Sequence, residues 1–125
     1  MTLRIGFLPS DFNPMVLVLG DPEDLHRLAA TLRRFAHAPA ETPLESSRVR
    51  LTASEGAPGI HPTLDSTAFV WRLDAALAQG FADRIDALAQ PGRLAGSEIL
   101  ECTTEEEIPV KVSRGEYTDD FLRET

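Results

Sequence analysis

Cysteine, lysine, tryptophan and tyrosine each occur once in this 125-residue chain. A lone cysteine, Cys102, excludes an intrachain disulfide and the stapled scaffolds that depend on one. No apolar run exceeds Met15 to Leu19, far short of the ~20 residues that a spanning helix needs. No basic segment followed by a long apolar core opens the chain, so no signal peptide is expected and the cytoplasm is the expected compartment. Collagen, mucin, coiled-coil and globally disordered classes do not fit the 42% hydrophobic and 26% charged composition. A single α+β domain over residues 1–125 is the expectation, because a chain of this length can bury one sizeable core.

The charge present is mostly negative. Twenty acids face twelve bases, a net charge of −8. That balance repels phosphate backbones, so nucleic acid is not an expected partner. Eleven of the twelve bases are arginine; with abundant alanine, this suggests a GC-rich bacterial source. Residues 98–125 hold nine acids against three bases, leaving the first 97 residues close to neutral.

The clearest local signal is Gly20-Asp21-Pro22-Glu23-Asp24. Asp21 can accept from the free N–H groups of a first helical turn, and Pro22 suits the first helical position. Leu25, Leu28, Leu32 and Phe35 then recur at helical spacing, up to about His37. Asp74 opens a second helix carrying Leu77, Phe81, Ile85 and Leu88, with a late start or bend expected at Gly80 and a stop at Pro91-Gly92. Strands are read at Leu3–Leu8, Met15–Leu19, Arg48–Ala53, Ala68–Leu73, Glu98–Cys102 and Ile108–Ser113. Met15–Leu19 should be covered on both faces. Ser54–Ser66 is read as a long loop.

Met15–Ala36 and Ala68–Ala89 share the order strand, capping Asp, helix, at a constant offset that aligns Asp21 with Asp74 and Leu32 with Ile85. This hints at an internal duplication. The element order suggests a ferredoxin-like split β-α-β sandwich: a mostly antiparallel sheet, two helices on one face, and extra strands. Its open face would carry Arg4, Arg48, Arg50, Arg72 and Lys111, a candidate surface for a small anionic ligand.

The other candidate surface is acidic: Glu105, Glu106 and Glu107 in a turn, with Glu116, Asp119 and Asp120 beyond it. The ending Ile108-Pro109-Val110-Lys111-Val112-Ser113-Arg114-Gly115-Glu116-Tyr117-Thr118-Asp119-Asp120-Phe121, and the Gly20–Leu25 helix opening, resemble those of short, mostly uncharacterised bacterial proteins. Some acidic proteins of this size are immunity partners of polymorphic toxins. The resemblance implies a binding role, with acids facing a cationic cleft, and carries over no catalytic residue.

Catalytic signatures are sparse. His26, His37 and His61 lack the i, i+4 pairing of a helical zinc site, and Cys102 has no cysteine or histidine nearby in sequence. No metal or other cofactor is expected. Cys102 alternates with Leu100 as a core residue, and its acidic neighbours should raise its pKa. His61, Asp65 and Ser66 form the best catalytic constellation, that of a small hydrolase. The expected function is therefore non-catalytic binding of another protein, through the acidic C-terminal surface or the open sheet face; a homodimer is compatible with each reading.

Overall fold

The computed structural model describes residues 4–8, 14–44, 49–53, 58–62, 68–90, 96–102 and 107–114. Two strands, β1 (Arg4–Leu8) and β2 (Met15–Leu19), precede helix α1 (Pro22–His37). Then come β3 (Thr42–Pro43), β4 (Val49–Ala53), β5 (Gly59–Pro62), β6 (Phe69–Leu73), helix α2 (Ala75–Leu88), β7 (Gly96–Leu100) and β8 (Val110–Arg114). Among the described residues no helix is long and apolar enough to cross a membrane.

Both helices begin where the capping aspartates stand. Asp24 N–H donates to Asp21 Oδ1 at 3.0 Å, and Asp21 N–H returns a bond to Asp24 Oδ2 at 3.2 Å, a reciprocal box that satisfies two orphan donors. The backbone bond from Asp24 is the main reason that the Asp21 carboxyl lies below its ordinary range. Asp74 accepts from Leu77 N–H at 2.8 Å. Helix α2 starts directly after Asp74 and runs through Gly80. The expected late start does not occur, because the buried stripe Ala78, Phe81, Ala82, Ile85 and Leu88 holds the helix on the core.

The α+β class is as read, with two helices and mostly antiparallel strands. The strands are divided between two four-stranded sheets: β1-β2-β8-β7, here sheet A, and β3-β4-β6-β5, here sheet B. Each half of the chain is a β-β-α-β-β unit, and the halves exchange their last two strands. The inner strand of the first hairpin, β2, runs parallel to β8, and β6 runs parallel to β4. Alternation identifies the face that a residue occupies but not the strand beside it, so this exchange is invisible to periodicity.

One cluster joins the inner faces of both sheets to both helices. Sheet A supplies Val16, Val18, Val110 and Val112; sheet B supplies Val49, Leu51, Ile60, Phe69 and Trp71. Phe7 and Phe69 meet across the sheets with ring centroids 5.0 Å apart, and Trp71 stacks on Phe81 at 6.0 Å. The duplicated positions are equivalent in packing: Leu25 and Ala78, Leu28 and Phe81, Leu32 and Ile85, Phe35 and Leu88 are all buried.

The two helices are also tied by charge. His26 Nδ1 lies 2.9 Å from Asp86 Oδ1, while Arg33 reaches Asp86 and, at 2.8 Å, Asp83. Partial burial opposes ionisation of Asp86, but the bonds from His26 and Arg33 outweigh it and hold the carboxyl below its ordinary range. Arg84 donates to Glu98 and to Ile99 O at 2.9 and 2.7 Å, fastening α2 to edge strand β7. Arg114 donates to Leu88 O and Gln90 O at 3.1 and 2.9 Å, covering carbonyls at the end of α2.

Strand β5 lies inside the segment read as loop. Its Gly and Pro content hides the strand from pattern reading, yet Ile60 is buried opposite Trp71. Gly59 has φ 107°, and a Cβ there would sit 2.9 Å from Glu107 Cβ and closer still to its carboxylate.

Two outcomes are expected. Asp86→Asn should destabilise the fold by roughly 1 kcal/mol at pH 7. A depressed carboxyl contributes stability above its unfolded pKa, ~4, and loses it as pH falls through the folded value. The gap between variant and wild type in urea unfolding should therefore narrow by pH 3. Gly59→Ala should cost about 1–3 kcal/mol from strained φ and steric conflict, read as a lower thermal midpoint.

Candidate functional site

The exchange of strands divides the cationic stripe. Arg4 and Lys111 fall on the outer face of sheet A, whereas Arg50 and Arg72 fall on the outer face of sheet B. Arg48 lies outside the described residues. The single basic face expected from the sequence is corrected accordingly: its members belong to two sheets, because β4 and β6 pair with each other and not with β2 or β8.

The two outer faces differ in access. On sheet A, Leu17, Leu19 and Ser113 are 0%, 2% and 0% exposed. They lie in the same cross-strand rows as Lys111 and Arg4. The centre of that face is closed, which agrees with Met15–Leu19 being covered on both sides, whereas Ile99 on edge strand β7, across from Lys111, is 48% exposed. Ser113 Oγ is buried there with no hydrogen-bond partner among the described residues.

On sheet B, Arg50 is exposed and Thr52, His61, Val70 and Arg72 are half-buried. Register sets their arrangement. Arg50, Val70 and His61 share one row across β4, β6 and β5; Thr52, Arg72 and Gly59 share the next row on this face. Arg50 Nη1 contacts Glu41 Oε1 at 3.3 Å, with both side chains exposed. Arg72 has no ion-pair partner among the described residues. His61 Nε2 lies 3.3 Å from Pro58 O. Asp65 and Ser66 lie outside the described residues, so the constellation read around His61 reduces to a strand histidine on this face.

Of the acidic candidates, Glu105, Glu106, Glu116, Asp119 and Asp120 lie outside the described residues. Glu107 is described, and it turns inward. Cys102 N–H donates to both carboxylate oxygens at 2.8 and 2.9 Å, linking the residue before Ile108 to the end of β7. Ile108 N–H then donates to Ile60 O at 2.9 Å, at the edge of sheet B. Sequence reasoning missed this role. The signal available was a glutamate just before an apolar strand entry.

Cys102 packs against the core. Burial, and then the Glu107 carboxylate, push its thiol up to about 11. Among the described residues no three His, Cys, Asp or Glu side chains converge as a metal site. A cleft of about 510 Å³ opens between the end of α1 and the start of α2, lined by Arg33, Ala36, His37, Ala75, Ala76 and Gln79. Arg33 is already engaged by Asp83 and Asp86.

No family model, curated protein or solved structure matches the chain.

At pH 8 a thiol at this elevated value holds about 100-fold less thiolate than one at the ordinary value of 9.0. Iodoacetamide should accordingly modify native Cys102 slowly, and Glu107→Gln should accelerate it. Mass spectrometry of timed samples checks both rates.

Proposed function

We propose that this protein is a non-catalytic interaction domain that contacts an acidic region of another protein through the outer face of sheet B. The observation that carries this reading is Arg72. The residue is half-buried and has no carboxylate partner among the described residues, beside the exposed Arg50. A guanidinium without a partner gains a charge-assisted bond when another protein brings a carboxylate to it. Arginine is also a frequent energetic anchor in protein interfaces. The surface is a sheet face, which suits a polypeptide better than a small enclosed anion.

The net charge of −8 works against long-range attraction of an acidic partner. Affinity must then come from short-range pairing at the arginines, and the local arrangement decides which acids bind.

The second reading is an immunity-type inhibitor whose acids face a cationic cleft, supported by the nine acids among residues 98–125. The two readings have opposite charge dependence. Fluorescence anisotropy with labelled polyglutamate at low salt separates them. On the first reading the wild type binds, and the Arg50→Glu, Arg72→Glu double variant binds about tenfold more weakly with an unchanged circular dichroism spectrum. Equal binding by both proteins, or none by the wild type, removes the first reading.

A further inference from the structure

Backbone groups at the edge of a sheet are open to another strand unless something occupies them. Successive residues of a strand direct their N–H and C=O groups to opposite sides, so one ladder bond fixes which residues face the edge. Val16 N–H donates to Pro109 O at 3.0 Å and Gly20 N–H to Ser113 O at 3.3 Å. The even-numbered residues of β2 therefore face β8, while Leu17 and Leu19 face Gly6 and Arg4 of β1. Ile5 and Phe7 are left with both backbone groups directed outward.

The same alternation fixes the outward residues of the other three edges, and each of those edges is obstructed. On β7 they are Ser97 and Ile99, because Val110 and Val112 face that strand; Arg84 occupies Ile99 O at 2.7 Å. On β3, the bond from Leu44 N–H to Val49 O puts Pro43 outward, and proline has no N–H to offer. On β5, Ile60 O is taken by Ile108 N–H at 2.9 Å, and the next outward residue is Pro62. Strand β1 has no such device: among the described residues nothing bonds the outward groups of Ile5 and Phe7. Their side chains pack on the core yet stay only half-buried.

We infer that β1 pairs antiparallel with β1 of a second copy of this chain, about a two-fold axis at Gly6. The strand's own sequence selects that occupant. With the axis at Gly6, Ile5 lies opposite Phe7 of the second copy and Phe7 opposite its Ile5, each pair exchanging both hydrogen bonds. This is the register in which both outward residues find a partner inside β1. It sets apolar against apolar on the inner face, glycine against glycine at the axis, and the single charge of the strand, Arg4, against the position of Leu8. The corresponding pairing of β7 would set Glu98 against Glu98 and displace Arg84. Sheet A then continues across two copies through an isologous contact. The contact leaves the outer face of sheet B untouched and stands independently of the function proposed above. Two copies at −8 each repel one another. Salt screens that repulsion, so the dimer tightens as salt rises.

Sedimentation equilibrium of the full-length chain from about 5 to 500 µM should show a monomer–dimer equilibrium that is stronger at high salt. Amide hydrogen exchange read by NMR locates the contact. The Ile5 and Phe7 amides should exchange freely in dilute protein and slow about threefold or more as the dimer fills, whereas the Gly6 amide, turned toward β2, is protected throughout. Gly6→Glu and Gly6→Lys should each weaken the dimer about tenfold or more by setting like charges across the axis, and an equimolar mixture of the two should restore it. A monomer throughout the range overturns the proposal. So does a dimer whose Ile5 and Phe7 amides exchange as fast as in the monomer, since its contact lies elsewhere. The exchange measurement needs no substitution and decides between these outcomes even where a Gly6 variant fails to fold.

Discussion

Neither half of the chain contains the strand that its own hairpin needs. Strand β2 has β1 on one side and requires a neighbour on the other, and that neighbour is β8, from the far end of the described chain. Strand β6 has β5 and requires β4. These two parallel pairings lie at the centre of their sheets, where Val16–Leu19 and Val110, Val112 and Ser113 are buried. Leaving either pairing unmade would leave a row of backbone N–H and C=O groups without their strand partners. The two halves therefore cannot form separate cores, and the cluster that joins both helices to both sheets follows from this requirement. The ion pairs between α1 and α2 and the arginine bonds from α2 and β8 secure an arrangement that strand pairing has already imposed.

The same exchange distributes the charge. Pairing β4 with β6 places Arg50 and Arg72 on one sheet, away from Arg4 and Lys111 on the other. A stripe that would have been continuous in a single sheet becomes two separate groups, of which the one on sheet B includes the exposed Arg50. The bond between Cys102 and Glu107 adds a further constraint. Glu107 accepts the Cys102 N–H and lies against Gly59, so this carboxylate helps to join the two sheets at Ile60 and Ile108. A residue that composition assigns to an acidic surface is thereby spent inside the fold.

What was legible in the sequence was whatever local chemistry determines. The Asp21 and Asp74 caps, the buried stripes of both helices and the strands around Val16, Leu51 and Trp71 all follow from spacing and capping. Strand β5 was hidden because Gly59 and Pro62 belong to turn vocabulary, and β3 because two residues carry no period. Strand β7 begins at Gly96, earlier than read, since Gly96 and Ser97 give no apolar signal. The partner of each strand was not legible at all, because it depends on contacts between distant halves. The proposed contact face inherits that limit. Arg50 and Arg72 could be nominated from alternation, but their separation from Arg4 and Lys111, and the inclusion of His61 beside them, required the pairing.

The duplication shows where the halves part company. Relative to the two capping aspartates, Val16 corresponds to Phe69 and Val18 to Trp71; all four are buried in the core. On the opposite side of the same strands, Leu17 corresponds to Val70 and Leu19 to Arg72. In each comparison the first residue is fully buried and the second is only half-buried. Across the parallel partner strands, Lys111 opposes Leu17 just as Arg50 opposes Val70, so a cation is present at that point in both sheets. The decisive difference is therefore at one row, Leu19 against Arg72. An apolar side chain there can be buried at no electrostatic cost, whereas a guanidinium resists desolvation unless a carboxylate accompanies it. Two units of the same element order thus keep the same inner chemistry while the centres of their outer faces differ, one buried and apolar at Leu17 and Leu19, the other half-buried with a cation at Arg72. The sheet B face, proposed above for contact, is one that a partner can meet without disturbing the strand pairing on which the fold depends.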